Sequence, residues 1–181
     1  KKTVDYTGLE YTKKLIGIAR KRYPLGEFVE QSMTDFELGK RFDRIVAIAS
    51  FHHIPTRRLR KITLEQIRKH LKDDGLLIIS VWNLWRFKYI STLLKGFLSS
   101  LITLFFKDPR DVYVPFGPDK VPRFYHAFFR SELKSTLLNA GFLIEDEIKS
   151  TGNFIFICRK NMLKGVQSPA LQFESPAASY V

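Results

Sequence analysis

Residues 2–10 (KTVDYTGLE) read as a short strand that ends in a carboxylate, Glu10. In a dinucleotide-type site, an acid at the carboxyl end of a strand accepts hydrogen bonds from both hydroxyls of a ribose. A strand-terminal glutamate also serves as a solvated cap, and taken alone Glu10 fits either part. Two histidines, His52 and His53, stand side by side after an apolar run. Neighbouring side chains at a strand exit point to opposite sides, so the pair converges poorly on a metal, and no nearby cysteine completes a ligand set. A metal site is therefore not expected, whereas one of the two histidines is a candidate general base. The single cysteine, Cys158, excludes an internal disulfide framework and a cysteine-rich zinc module. It points to a reducing compartment, and a cytoplasmic location is expected. The net charge of +12 favours an anionic partner such as RNA or a membrane surface, or simply reflects a basic soluble surface.

The elements that must position these residues alternate along the chain. A hydrophobic fraction of 45% over 181 residues supports one folded domain rather than a disordered chain. After the first strand, residues 11–23 read as a helix with Leu15, Ile18, Ala19 and Arg22 on one face and Thr12 as a candidate cap, stopped by Pro24 and Gly26. Residues 27–31 form a second strand, followed by a loop over 32–40. Residues 42–50 (FDRIVAIAS) are a nearly continuous apolar run, which predicts a strand buried on both faces of a parallel sheet. A helix over 56–71 points Leu59, Ile62, Ile67 and Leu71 inward. Asp73-Asp74-Gly75 makes a turn into the strand at 76–82. Residues 83–106 are rich in Leu, Phe and Trp, and 107–122 read as a loop. Residues 124–129 are aromatic. A helix over 131–140 has Ser131 as its cap and Gly141 as its stop. Strands at 142–148 and 153–159 are joined by a short Ser-Thr-Gly turn, so the last strand runs antiparallel to its neighbours. Residues 161–181 read as a disordered tail. Strands alternating with helices at this spacing predict an α/β sheet with right-handed crossovers.

The order TGLE, a helix ending ARKRYP, FVEQSMTDF, FDRIVAIASFHHIP and then LKDDGLLIISVWN resembles the class I S-adenosylmethionine (SAM) dependent methyltransferases from their second strand onward. The resemblance implies a Rossmann-like sheet with helices on both faces and an antiparallel last strand. The corresponding domain covers residues 1–160. It implies SAM as cofactor, with Glu10 on the ribose, Tyr11 beside the adenine and Met33 over the adenine face. In many members a Gly-Asp pair follows the third strand and holds the adenine amino group. Here Gln31-Ser32 stands in that place, so Ser32 offers a hydroxyl where the family has a carboxylate. Ser50, Phe51 and His52 would lie where methionine-side and substrate contacts occur; core packing is the competing part for Met33 and Phe51.

The segment VYVPFGPDKVPRFYHAFFRSELKSTLLNAGF, with VWN at 81–83, resembles the tRNA wobble-uridine (carboxymethyluridine) methyltransferases and their bacterial relatives. That resemblance makes Arg123, Tyr125 and His126 substrate-side candidates: Arg123 for a carboxylate or phosphate, Tyr125 and His126 for stacking on a base. The competing part is a structural loop under the sheet. The implied partners are tRNA and a small activating protein subunit. Residues 84–122 read as an inserted, lid-like segment. Within it the apolar stretch serves as a lid, as a docking face for a subunit or, ranked last, as an interfacial membrane helix. The family's first strand and glycine-rich loop have no counterpart in this chain, which has no Gly-x-Gly triplet. An N-terminally truncated piece of a complete enzyme, binding SAM poorly as it stands, is the expectation. A small-molecule or lipid methyltransferase and a degenerate, non-catalytic binding module are the alternatives. The residue that would carry the chemistry itself is not identified.

Overall fold

The computed structural model describes residues 4–102 and 108–163. Parts of the first expected strand, of the apolar segment before 108 and nearly all of the expected tail thus lie outside the described residues.

Strand β1 (Thr7–Glu10) leads through helix α1 (Lys13–Arg22) into strand β2 (Glu27–Glu30). The two strands pair in parallel, with Glu10 opposite Glu30. Arg20 donates to the Phe28 carbonyl at 2.9 Å and ties α1 to β2. The buried residue of α1 is Ile16, while Leu15 and Ile18 are half exposed. The inward face expected through Leu15 and Ile18 is therefore corrected by about a residue's rotation, 100° on a helix.

Strand β3 (Phe42–Ile48), helix α2 (Arg57–His70), strand β4 (Leu71–Trp82), helix α4 (Arg130–Asn139) and strands β7 (Phe142–Ile148) and β8 (Asn153–Lys160) build the larger unit. Its sheet has the order β3-β4-β8-β7. β3 and β4 are parallel, and β8 runs antiparallel to both β4 and β7, as the short turn required. Pairing of β3 with β4 jumps from Leu71 to Leu76, so the Asp-Asp-Gly segment bulges out of the ladder. Thr56 caps α2 by accepting from the Leu59 amide at 3.1 Å. Leu64 and Ile67 of α2 and Leu133 and Leu137 of α4 share one core with Leu77, Ile79, Phe142 and Phe156. The inward face of α2 thus runs through Arg60, Thr63, Leu64 and Ile67, with Leu59 and Ile62 only partly covered. α4 begins one residue earlier than expected. Its first turn is closed by Glu132, which accepts from the Phe129 amide, and Ser131 is not the cap. Gly141 ends it at φ +81°, where a Cβ would be strained.

Burial of β3 differs from expectation. Ala47 is buried, but Val46 and Ile48 are each 57% exposed. Ala47 shares the main core with residues of α2 and α4, whereas Val46 and Ile48 stand outside it.

Where a loop is expected over 107–122, residues 111–126 form a β-hairpin. Strands β5 (Asp111–Phe116) and β6 (Val121–His126) pair antiparallel, with Pro115 opposite Pro122. Proline has no amide to donate, so it weakens the strand signal in the sequence while remaining tolerated in a hairpin edge. Helix α3 (Ile90–Ile102) lies on β5. Gly96 permits this approach, because a Cβ there would stand 2.7 Å from Val112 Cγ1 and 2.9 Å from the Pro109 carbonyl. Leu84, Val112, Val114, Tyr125 and Ala127 form a second, smaller core, with Trp82, Tyr89 and Leu93 against it.

Candidate functional site

The carboxyl ends of β1, β2 and β3 hold the residues suited to a nucleoside. Glu10 ends β1, and its Oε1 accepts from the Thr12 amide at 2.7 Å. That bond fixes the carboxylate at the strand end; Thr12 stands at the N-cap position of α1 as expected, but its side chain makes no capping hydrogen bond. A carboxylate has about four acceptor positions, so ample capacity remains for two hydroxyls. Tyr11 beside it is 76% exposed. Ser32 and Met33 follow β2. The Ser32 hydroxyl is 2.8 Å from the Thr34 hydroxyl and accepts from the Thr34 amide, so it is committed to its own turn. Gln31 is likewise turned inward, accepting from the Glu37 amide at 3.1 Å. Met33 packs against the main core.

At the end of β3, Ala49 adopts φ +50°, a left-handed conformation that costs a non-glycine residue on the order of 1–2 kcal/mol. Its amide is held by both the carbonyl and the hydroxyl of Ser80, at 3.0 and 3.1 Å. The strain aims Ser50 and the 3-10 turn at Phe51–His53 away from the strand direction. Phe51 is wholly buried and stacks on Phe128 at 5.7 Å. Its side chain packs in the main core, the competing part expected for it.

His52, His53, Trp82 and Tyr125 form one aromatic cluster. Tyr125 stacks on His52 at 5.0 Å and on Trp82 at 5.2 Å, and His53 meets Tyr125 edge-on at 4.5 Å. His52 accepts the Trp82 amide on Nδ1 at 3.1 Å, which places its proton on Nε2. Burial, helped by His53, pushes its pKa down to about 3. It is a neutral ring, and its Nε2 is buried without a hydrogen-bond partner among the described residues. His53 is the opposite case. Its Nδ1 lies 2.8 Å from the Phe124 carbonyl, which can only accept, so Nδ1 carries the proton and Nε2 keeps a basic lone pair. Of the two adjacent histidines, His53 is the one tautomerically able to take a proton.

The trio Arg123, Tyr125 and His126 does not converge. Arg123 and Tyr125 lie on one face of the hairpin and His126 on the other, as strand alternation requires. Arg123 is exposed and lies over the Phe116 ring at 3.8 Å. Tyr125 is 1% exposed, inside the second core. His126 is fully buried, with Nδ1 2.6 Å from Asp111 and Nε2 3.1 Å from Glu132. Burial alone lowers its pKa, but the two carboxylates outweigh burial and raise it. Both ring nitrogens donate, so His126 is an imidazolium locked into structure, with no nitrogen left for a substrate. Arg110 extends the network, bonding Asp108 at 2.6 Å and Glu132 at 2.5 Å. This chain of charges bolts the hairpin to α4. Sequence reading missed Asp108, Arg110, Asp111 and Glu132, because the network gathers them from the hairpin and α4 at separations of 2 to 22 positions. It also missed Ala49, which no residue type betrays, and Trp82.

Residues 1–75 match the family described as "Methyltransferase domain". A dTDP-3-amino-3,6-dideoxy-alpha-D-glucopyranose N,N-dimethyltransferase of Streptomyces fradiae is 30% identical over 76 residues, which is 41% of this chain and 30% of that protein. The chain thus spans about a third of the length of the curated relatives it matches. Among solved structures, SAM-dependent methyltransferases of Methanosarcina mazei superpose with a TM-score of 0.66 at 18% identity, over 85% of this chain and 81% of theirs. One from Clostridium acetobutylicum gives 0.65 at 12% identity, over 87% and 75%. These likenesses, together with the β3-β4-β8-β7 order and its antiparallel β8, lead to one conclusion: the chain has the class I, Rossmann-like fold of the SAM-dependent methyltransferases.

Proposed function

We propose that the protein is a SAM-dependent methyltransferase that holds the adenosine half of its cofactor at the carboxyl ends of β1 and β2. The observation that carries this reading is Glu10, an anchored carboxylate at a strand end beside the exposed ring of Tyr11. The residues present fit a ribose, whose paired hydroxyls a carboxylate accepts. Met33 flanks this end of the sheet from the core side, and Ser50 opens the turn after β3. The fit is poorer at the adenine amino group, since Gln31 and Ser32 are committed to their own turn. When bound, SAM supplies an electrophilic methyl group on a sulfonium. The protein's part is then to align an acceptor for in-line attack and to remove its proton. His53 is suited to the second task through Nε2.

The relatives named above act on amino sugars, but the family match covers residues 1–75, ending inside β4 and short of the insertion at 84–122, and the curated match spans only 76 residues. Their acceptor therefore does not transfer with the cofactor half. We favour a small-molecule acceptor. Tyr125 and His126 are closed off by core and carboxylates, so neither offers an open ring to a flipped base. The tRNA reading rests on the exposed Arg123 and the charge of +12. Methyl transfer from labelled SAM by the native protein, offered total tRNA in one reaction and a small-molecule extract in another, decides between them. Label in the small-molecule fraction alone is expected. Label in tRNA, mapped to a modified uridine, would reinstate the RNA acceptor, and label in neither would count against a methyltransferase.

A further inference from the structure

Helix α3 presents its largest apolar side chains to solvent. Tyr89, Leu93, Gly96 and Ser100 are the residues turned toward the hairpin, and they are mostly small or half-buried. Ile90, Leu94, Phe97, Leu98 and Leu101 are 41–57% exposed. At about 100° per residue they fall in one stripe about 100° wide, running the length of the helix. Phe87, 91% exposed, continues the stripe at its amino-terminal end. A helix that merely covers a hairpin would be polar there. The stripe is bordered along one side by Ser91, Lys95 and Ser99, and Arg86 and Lys88 stand at its entrance. Residues 84–102 contain no acid. No described helix is long and apolar enough to cross a membrane, and α3 has only 13 residues.

We propose that α3 docks on an anionic lipid surface, lying in the interface with its apolar stripe inserted and its cations at the headgroups. A short helix with a wide apolar face, rimmed by cations and free of acids, is what such a surface binds. The net charge of +12 supplies the longer-range attraction and argues against a second copy of the chain as occupant, because two such surfaces repel. The insertion holds three carboxylates: Asp108 and Asp111 are already neutralised by Arg110 and His126, and Asp119 lies in the hairpin turn next to Lys120. The docking is independent of the methyl acceptor.

The test is co-sedimentation of the native protein with vesicles of phosphatidylcholine alone and of phosphatidylcholine mixed with phosphatidylglycerol. Partition at least tenfold stronger onto the anionic vesicles is expected, weakening as salt rises. Leu94→Ser with Leu98→Ser should reduce that partition at least tenfold, as should Phe87→Ser, whose site is so exposed that folding is unaffected. Lys88→Glu with Lys95→Glu should reduce it severalfold. No partition onto anionic vesicles would overturn the proposal. So would partition that survives the serine variants, since charge alone would then be responsible. A dimer in sedimentation velocity that the serine variants dissociate would assign the stripe to a second copy instead.

Discussion

β3 and β4 carry comparable apolar runs, FDRIVAI and LLIISVW, and pair side by side, yet they are buried very differently. Val46 and Ile48 of β3 are each 57% exposed, whereas Leu77, Ile79 and Val81 of β4 are sealed. β4 has β3 on one side and β8 on the other, with α2 and α4 over it. β3 lies at the border of the four-stranded unit, and beyond it the β1–α1–β2 unit holds only Ile16 deeply buried in its helix. Local composition sets how much apolar surface a strand offers. Neighbours on both edges and both faces decide how much is removed from water. The residues we propose for the nucleoside sit on the thinly packed side, at β1 and β2, and the rigid scaffold lies behind them.

The largest test of that asymmetry is a pair of truncations. Phe156→Ala, in the sealed centre of the sheet, should cost about 3–5 kcal/mol of unfolding free energy. Val46→Ala should cost under about 1 kcal/mol. Urea denaturation of both variants checks this. Equal losses would mean that the outer face of β3 is covered in solution.

The buried charge network that bolts the hairpin to α4 comes next. Removing one member of a buried ion pair leaves its partners unmatched, which costs about 3–5 kcal/mol. His126→Ala should fall at the lower end, since Asp111 and Glu132 keep some solvent contact, with side chains 23% and 19% exposed. Thermal melting reads the loss. A near-neutral variant would return His126 to the substrate side.

A smaller, graded effect follows from the two histidines' opposite titrations. His126 is raised above its ordinary 6.5, so its contribution is complete below that value and fades as pH rises through its folded pKa. Glu132 is shifted downward on balance: burial opposes the shift, and His126 outweighs it. Its contribution is therefore lost as pH falls through a folded pKa below 4.5. His52, neutral with a pKa near 3, withdraws stability progressively as pH falls from 6.5 toward 3, because the unfolded ring takes a proton first. Each group contributes at most about 1.4 kcal/mol per pH unit. Denaturation midpoints measured across pH should decline on both sides, and His52→Phe should flatten only the acid limb.

The sheet was readable from the chain because its signals are local. The Ser-Thr-Gly turn announced the antiparallel β8 and the apolar spacing announced α2, whereas the Asp-Asp-Gly segment, expected as a turn before the strand, is a bulge within β4. The hairpin at 111–126 was hidden by Pro115 and Pro122, which suppress the strand pattern without preventing the pairing. Site assignment failed where the deciding contacts are distant in sequence. Nothing in Tyr125-His126 reveals that Asp111 and Glu132 occupy both ring nitrogens of the histidine. Likewise the pair His52-His53 is symmetric in sequence and becomes unequal only through Trp82 and Phe124. The position of Glu10 at a strand end was visible from the outset, and its contact with a ribose is the proposal.

The central claim, that the thin side of the sheet holds the cofactor through Glu10, is tested most directly by calorimetry of SAM with the native protein and two variants. Glu10→Ala removes the ribose acceptor, and hydrogen bonds to a charged group contribute about 1.5–3 kcal/mol each, so affinity should fall at least about tenfold. Glu10→Gln keeps an acceptor oxygen for the Thr12 amide and should leave melting unchanged while still weakening SAM. Loss of affinity in both variants with an intact fold is the predicted result. Affinity equal to that of the native protein in Glu10→Ala would contradict the account and move the cofactor away from β1.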